Sequence, residues 1–334
     1  MSFPLPEKLD TVRGHPRRLG VELEFAGLPL EDISRIVARL YGGKVHRKSR
    51  FVHTVSDTRW GDFQIEIDTA LLKDRTYAPY LEAVGVNLRE QVQRDRVEDL
   101  LARIAATVVP HEIVTPPIPM CEIHELEALR ERLQQAKARG TRASVFYAFG
   151  LHFNPELPDL RSDVILAHLR AFLLLWDWLH VRGEIDWTRR LTPYVNEFPN
   201  PYRRLVVDSE YAPDSARLLA DYLLQNPTRN RALDLLPVLR ELHGDAALRG
   251  VVDAALVKAR PAFHYRLPNC RIDEPAWTLA HEWQGWVSVE WLAARPDHMR
   301  DMGIAWLQRT QPAIASIDRL WAEESERWLK CDHA

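Results

Sequence analysis

The chain has 334 residues, with 44 Lys and Arg against 47 Asp and Glu and a formal net charge of −3. An apolar share of 46% and a charged share of 27% are those of a globular protein with a sizeable core. The near-neutral balance removes the electrostatic case for nucleic acid or a membrane surface as the main partner. The most apolar stretch, Ala171–Trp176, is bracketed by Arg170 and Asp177 and is too short to cross a bilayer. Three scattered cysteines, Cys121, Cys270 and Cys331, make neither a disulfide framework nor a CxxC site. Residues 1–10 carry no signal-peptide pattern, so a reducing cytoplasm is the expected location.

In chain order, Gly20-Val21-Glu22-Leu23-Glu24-Phe25 alternates apolar and acidic residues, the pattern of a half-buried strand. Ile33, Ile36, Val37 and Leu40 have helical spacing, and Gly42-Gly43 ends that helix. His46-Arg47-Lys48-Ser49-Arg50 reads as a solvated basic loop. Phe51–Ser56 and Gln64–Asp68 read as a hairpin turning through residues 57–62. A helix is expected over Asn87–Ala106, a strand over His111–Thr115, a helix over Glu122–Ala138 and a strand over Ser144–Asn154. The second half changes to helices: Arg161–His180, Ser215–Asn226, Arg229–Leu242, Ala246–Val257, Trp277–Leu292 and Ile314–Leu329. Between the last four, His264–Arg271 returns to an extended pattern, and the tryptophans of this half recur at helical spacing as core residues. The expected fold is α+β: an antiparallel sheet mostly from the first half, with helices of the second packed around it.

The strands share more than periodicity. Glu22 and Glu24, then Gln64, Glu66 and Asp68, then Glu112, then His152 and Asn154 all fall on the polar side of their strands. On one sheet these side chains would crowd carboxylates together, which costs stability and raises their pKa values unless cations compensate. Hard divalent ions with oxygen ligands resolve that conflict, so the pattern reads as a magnesium or manganese site on a sheet face.

Arg18 with Gly20–Phe25 resembles the opening strand of the glutamine synthetase and glutamate–cysteine ligase superfamily. Together with Glu66/Asp68, Glu112-Ile113-Val114-Thr115-Pro116-Pro117 and Gly150-Leu151-His152-Phe153-Asn154, it is most similar to the amidoligase family within it. The resemblance covers residues 18–154 and reaches towards 271, while residues 161–260 carry no motif of the family. It implies a curved antiparallel sheet of glutamine synthetase-like type forming half of a funnel. One catalytic domain would span 1–334, with 160–260 a mainly helical insertion. It implies ATP and Mg²⁺ or Mn²⁺ as cofactors, and small-molecule or peptide carboxylate and amine substrates. By motif order, Glu24 and Glu112, with Glu66 or Asp68, would hold one metal, and Glu22 and His152 the other. Glu22, Glu24 and Arg271 would be catalytic, and Arg266 and Arg271 would bind phosphate. The family often has a late Glu-x-Arg, and here Asn269-Cys270-Arg271 stands in its place, which weakens the second metal.

The chemistry so implied is an ATP-dependent carboxylate–amine ligase acting through an acyl phosphate. The alternatives are a guanidine-kinase-type phosphotransferase and a silent binding module that retains the sheet. Trp60 either shapes the funnel mouth or is an exposed hairpin aromatic. Arg189, Arg190, Arg203 and Arg204 read as solvated charged surface, the alternative being contact with an acidic substrate.

Overall fold

The computed structural model describes residues 3–67, 110–143, 149–185, 195–309 and 317–330. Asp68, the expected helix over Asn87–Ala106, and Arg189 and Arg190 lie outside the described residues. The fold is α+β. Its strands are β1 (Arg18–Phe25), β2 (Lys44–Arg47), β3 (Val52–Thr58), β4 (Gly61–Ile67), β5 (His111–Val114), β6 (Ile118–Pro119), β7 (Leu151–Pro155), β8 (Leu233–Asp234) and β9 (His264–Tyr265). They form one antiparallel sheet in the order β2-β3-β4-β5-β1-β7-β9-β8, with β6 against the start of β1. The sheet is unclosed.

Alternation along β1 decides which face is core. Val21, Leu23 and Phe25 are fully buried, as are Phe63 and Ile65 of β4 and Ile113 of β5. Helix α1 (Leu30–Tyr41) covers this apolar face at one end, with Tyr41 stacked on Phe63 at 5.4 Å. At the other end α3 (Ser162–Leu174) and α8 (Leu279–Ala293) cover it, through Phe172 against Tyr265 and Trp283 against Phe153. Trp176, Trp277, Trp283 and Trp286 are core residues, as their spacing implied. Trp60 locks the β3–β4 hairpin: it packs on Tyr41 and its indole N–H donates to Glu122 at 2.7 Å.

Several sequence expectations are corrected. The basic segment at 46–50 is partly an edge strand, β2, whose exposed Lys44, His46 and Arg47 leave it charged and unattractive to a further strand. The expected helix 122–138 begins as a 3₁₀ turn, and α2 proper is Leu126–Gln135. The expected helix 161–180 breaks at Leu175 into α3 and α4 (Trp176–Arg182), bent by 57°. There the indole of Trp321 draws on the Leu174 carbonyl at 2.8 Å. No single described helix is long and apolar enough to cross a membrane. Helices α5 (Asn200–Val207) and α6 (Ser215–Gln225) follow.

The expected helix 229–242 is helical only as α7 (Leu236–His243). Its first part is β8, because Leu233 pairs with Tyr265 and Asp234 caps the Leu236 N–H at 2.9 Å. Residues 246–257 are not one helix. Gly250 and Asp253 have positive φ, of 73° and 58°, and leave two 3₁₀ turns. Helix α9 (Pro296–Gln308) was not expected, and α10 (Arg319–Lys330) closes the described chain.

Arg203, expected as surface, is buried beside Glu197 and 3.9 Å from Asp177. Burial pushes Asp177 from 3.8 up to about 6, against the Asp318 N–H and Arg203. The folded state therefore holds this proton where the unfolded chain has lost it, so stability falls as pH rises through about 4 to 6. Asp177→Asn removes that step. Between pH 4 and 7 the urea stability of the variant should gain roughly 2–3 kcal/mol on the wild type. Parallel pH profiles of the two proteins would contradict this assignment.

Candidate functional site

The register of the sheet sets which polar side chains meet. Glu24 pairs with Glu112, and Glu112 with Glu66, so three carboxylates form one row across β1, β5 and β4. Glu22 pairs with His152 of β7 in the next row. Phe153 pairs with Tyr265, which sets His264 and Arg266 on the same face as His152 and Asn154. Asp234 pairs with His264 at the far side. Of the side chains expected on one face, Glu22, Glu24, Glu66, Glu112 and His152 share it, while Asp68 lies outside the described residues.

They do not all meet. Ligand atoms of Glu24, Glu112 and His152 lie within 4.8 Å of one another, and so do those of Glu22, His152 and His264. Glu66 is on the face but two strands from Glu24, roughly 10 Å at backbone level. Its carboxylate accepts from the Gln64 amide at 2.5 Å.

Glu22 is the hub. It is 9% exposed, and each oxygen already faces N–H groups: Asn154 Nδ2 at 2.9 Å on Oε1, His152 Nδ1 at 3.1 Å on Oε2. His264 Nε2 approaches Oε2 at 3.4 Å. Burial opposes ionisation of Glu22, but its histidine partners outweigh this and hold the carboxyl well below the usual range. His264 itself is kept neutral by burial and by the neighbouring Arg266 charge. Its effect on Glu22 is therefore that of an N–H facing a carboxylate rather than of a cation. Arg260 Nη2 lies 3.5 Å from His264 Nδ1. A guanidinium only donates, so Nδ1 accepts and Nε2 carries the proton towards Glu22. That tautomer has no lone pair on Nε2 for a metal. His264 orients Glu22, and the second group of ligand atoms is poorly suited to a cation.

The first group is better suited. A His152 ring that donates from Nδ1 to Glu22 carries its lone pair on Nε2, 3.7 Å from Glu24 Oε1. Glu24 Oε2 accepts the Gly150 N–H at 2.6 Å, and Oε1 faces His152. A lone pair and two directly opposed carboxylates gathered this closely repel one another unless a cation lies among them. Two carboxylate oxygens and one imidazole fit Mg²⁺ or Mn²⁺, with waters or phosphate oxygens completing the shell. Glu22 would then be the outer partner that fixes the ring of His152.

Arg271 is elsewhere engaged. Its guanidinium faces Glu184 at 2.9 Å, Glu274 at 3.6 Å and Glu282 at 3.7 Å, none of them in the carboxylate cluster. The Asn269 amide donates to the carbonyls of Gly183 and Glu184 and so fastens this strand to the end of α4. Arg266 lies 3.5 Å from Asp234, beside His152 in register. Asp234 and His264 were missed as site residues. His264-Tyr265-Arg266 carried the same polar–apolar alternation as the strands that were found. A cavity of about 450 Å³, lined among others by His168, Arg170, Tyr211 and Glu290, shares no residue with the cluster. Glu22, His152, Asn154, Asp234, His264 and Arg266 of the cluster are themselves buried.

An α+β chain here gathers carboxylates and a histidine in register on one sheet face, in two groups whose ligand atoms are close enough to share an ion. This chain belongs to the amidoligase family: the family model described as "Putative amidoligase enzyme" matches residues 15–288. No curated protein and no solved structure matches the chain.

Proposed function

We propose that the protein is an ATP-dependent carboxylate–amine ligase built on a glutamine synthetase-like sheet. The observation that carries this reading is the convergence of Glu24, Glu112 and His152 on the polar face, with Arg266 one strand away. These three residues would hold a divalent ion, and its charge would offset that of the nucleotide phosphates. Glu22 keeps His152 in the tautomer that leaves Nε2 free. Arg266, buried 3.5 Å from Asp234 beside this centre, would contact a phosphate oxygen.

The substrate carboxylate would attack the γ-phosphorus of ATP, releasing ADP and leaving an acyl phosphate. An amine would then attack the acyl carbon, expelling phosphate and giving its proton to solvent. The test is incubation with ATP, Mg²⁺ or Mn²⁺ and pooled amino acids and peptides, read by mass spectrometry. An amide with ADP and phosphate is the expected product. A phosphorylated amine without an amide would make the protein a phosphotransferase instead.

ATP affinity should depend on the ion, because bare ATP meets a carboxylate floor. Calorimetry is expected to show ATP binding with Mg²⁺ and none in EDTA. Undiminished binding in EDTA would remove the metal from the nucleotide site.

A further inference from the structure

Helix α3 is buried along most of its length, yet Val164, Leu166, Ala167 and His168 line the cavity of about 450 Å³. Ala293 at the end of α8 and Met299 of α9 add further apolar wall. The cavity lies on the helix-covered side of the sheet. His168 packs on Phe263 at 6.0 Å, and Phe263 falls on the face opposite its neighbour His264. A volume of this size is that of a small-molecule site, roughly 300–1,000 Å³.

The charges on the lining already have partners. Both oxygens of Glu290 bind Arg17, and one also takes the Trp286 indole N–H. Glu7 pairs with Arg295 at 2.8 Å, and Asp163 with Arg161 at 3.1 Å. Arg170 donates to the carbonyls of Val206, Asp208 and Tyr211. Lys8 is exposed, so its charge stays in water. An ion entering the cavity would lose its hydration without meeting an uncommitted countercharge, which is costly. The lining therefore selects a neutral occupant.

His168 is the exception among these polar groups. It is 6% exposed, and its Nδ1 lies 2.8 Å from the Val164 carbonyl. A carbonyl only accepts, so Nδ1 carries the proton. Burial holds the ring neutral, which leaves a lone pair on Nε2. Among the described residues nothing hydrogen-bonds to Nε2. The bond to Val164 and stacking on Trp286 at 6.4 Å fix the ring. A fixed acceptor in an apolar lining is matched by one donor on the occupant.

We propose that this cavity binds a neutral, largely apolar small molecule carrying one N–H or O–H donor, which His168 Nε2 accepts. The cavity shares no residue with the carboxylate cluster, so the inference stands apart from the ligase reading.

The experiment is calorimetry on the whole chain with indole and N-methylindole as probes. The two share a ring system, and only indole offers an N–H. Indole should bind about fivefold more tightly, the worth of one neutral hydrogen bond. His168→Phe keeps a ring in the stack and should bring the two probes to equal affinity. Ala167→Phe, on the half-buried side of α3, fills the cavity and should abolish binding of both. Melting curves of both variants should match wild type. A wild type that binds neither probe, or binds both equally, overturns the proposal. So does a preference that survives His168→Phe, or binding that survives Ala167→Phe. Should His168→Phe not fold, nitrogen NMR of the wild-type imidazole decides instead. Indole should shift the Nε2 resonance of His168 and N-methylindole should not, and an Nε2 unmoved by indole overturns the proposal.

Discussion

Glu24→Gln should reduce amide formation by roughly 100-fold or more while leaving the fold intact. The substitution keeps the shape and one acceptor oxygen, so the bond from the Gly150 N–H at 2.6 Å can persist. It removes a negative charge from the group of Glu24, Glu112 and His152. A centre that neutralises developing phosphate charge loses a hard ligand, and single losses in electrostatic machinery cost about 10²–10³ in rate. Without metal the same change should be mildly stabilising. Glu24 and Glu112 are opposed across β1 and β5, and like charges so placed cost roughly 0.2–1 kcal/mol. The measurement pairs turnover in Mg²⁺ with melting in EDTA. Normal turnover would take Glu24 out of the site. A lower melting temperature in EDTA would make it a structural residue held by Gly150.

How far this site could be read from sequence follows from what alternation encodes. Period two fixes the face of each side chain within its strand, so Glu22, Glu24, Glu112 and His152 were legible. It says nothing of strand order. Only pairing shows that Glu112 lies directly against Glu24 while Glu66 lies one strand further off. Alternation also fails where register slips. Phe153 pairs with Tyr265, but Gly150 bridges to Asn269, so one residue is extra on the second chain segment near Pro268. Beyond that point the pattern could not say where Asn269 and Arg271 lead, and their contacts run to α4, Glu274 and Glu282. The helical half was legible where apolar spacing was strong, as in α3, α6 and α8. It misled over 229–235, where apolar Leu233 serves a strand rather than a helix. That segment carries Asp234, so its place opposite His264 was hidden by a wrong period rather than by a missing residue type.

The largest stability effect should come from Arg17→Met, a loss of about 3–5 kcal/mol, although Arg17 lies outside the catalytic face. Its side chain is 1% exposed, and all five of its N–H donors are used. Nη1 and Nη2 grip the two oxygens of Glu290 at 2.8 and 2.7 Å. The remaining donors reach the carbonyl of Lys8 at 2.6 Å, and that of Glu156 at 2.9 and 2.6 Å. One guanidinium thus ties the N-terminal segment, the residue after β7 and helix α8 together at the base of β1. Glu290 is buried and also accepts the Trp286 indole N–H at 2.8 Å. Burial raises its pKa, and Arg17 overcomes this and holds the carboxyl below its usual range. Removing Arg17 strands that carboxylate in the core, and an uncompensated buried charge of this kind costs about 3–5 kcal/mol. Replacing both partners, Arg17→Met with Glu290→Met, should recover most of the loss, because the stranded charge is gone. Urea midpoints of the two single variants and the double variant decide the matter. A single variant within about 1 kcal/mol of wild type, or a double variant as unstable as the sum of the singles, would show that the pair does not hold these segments.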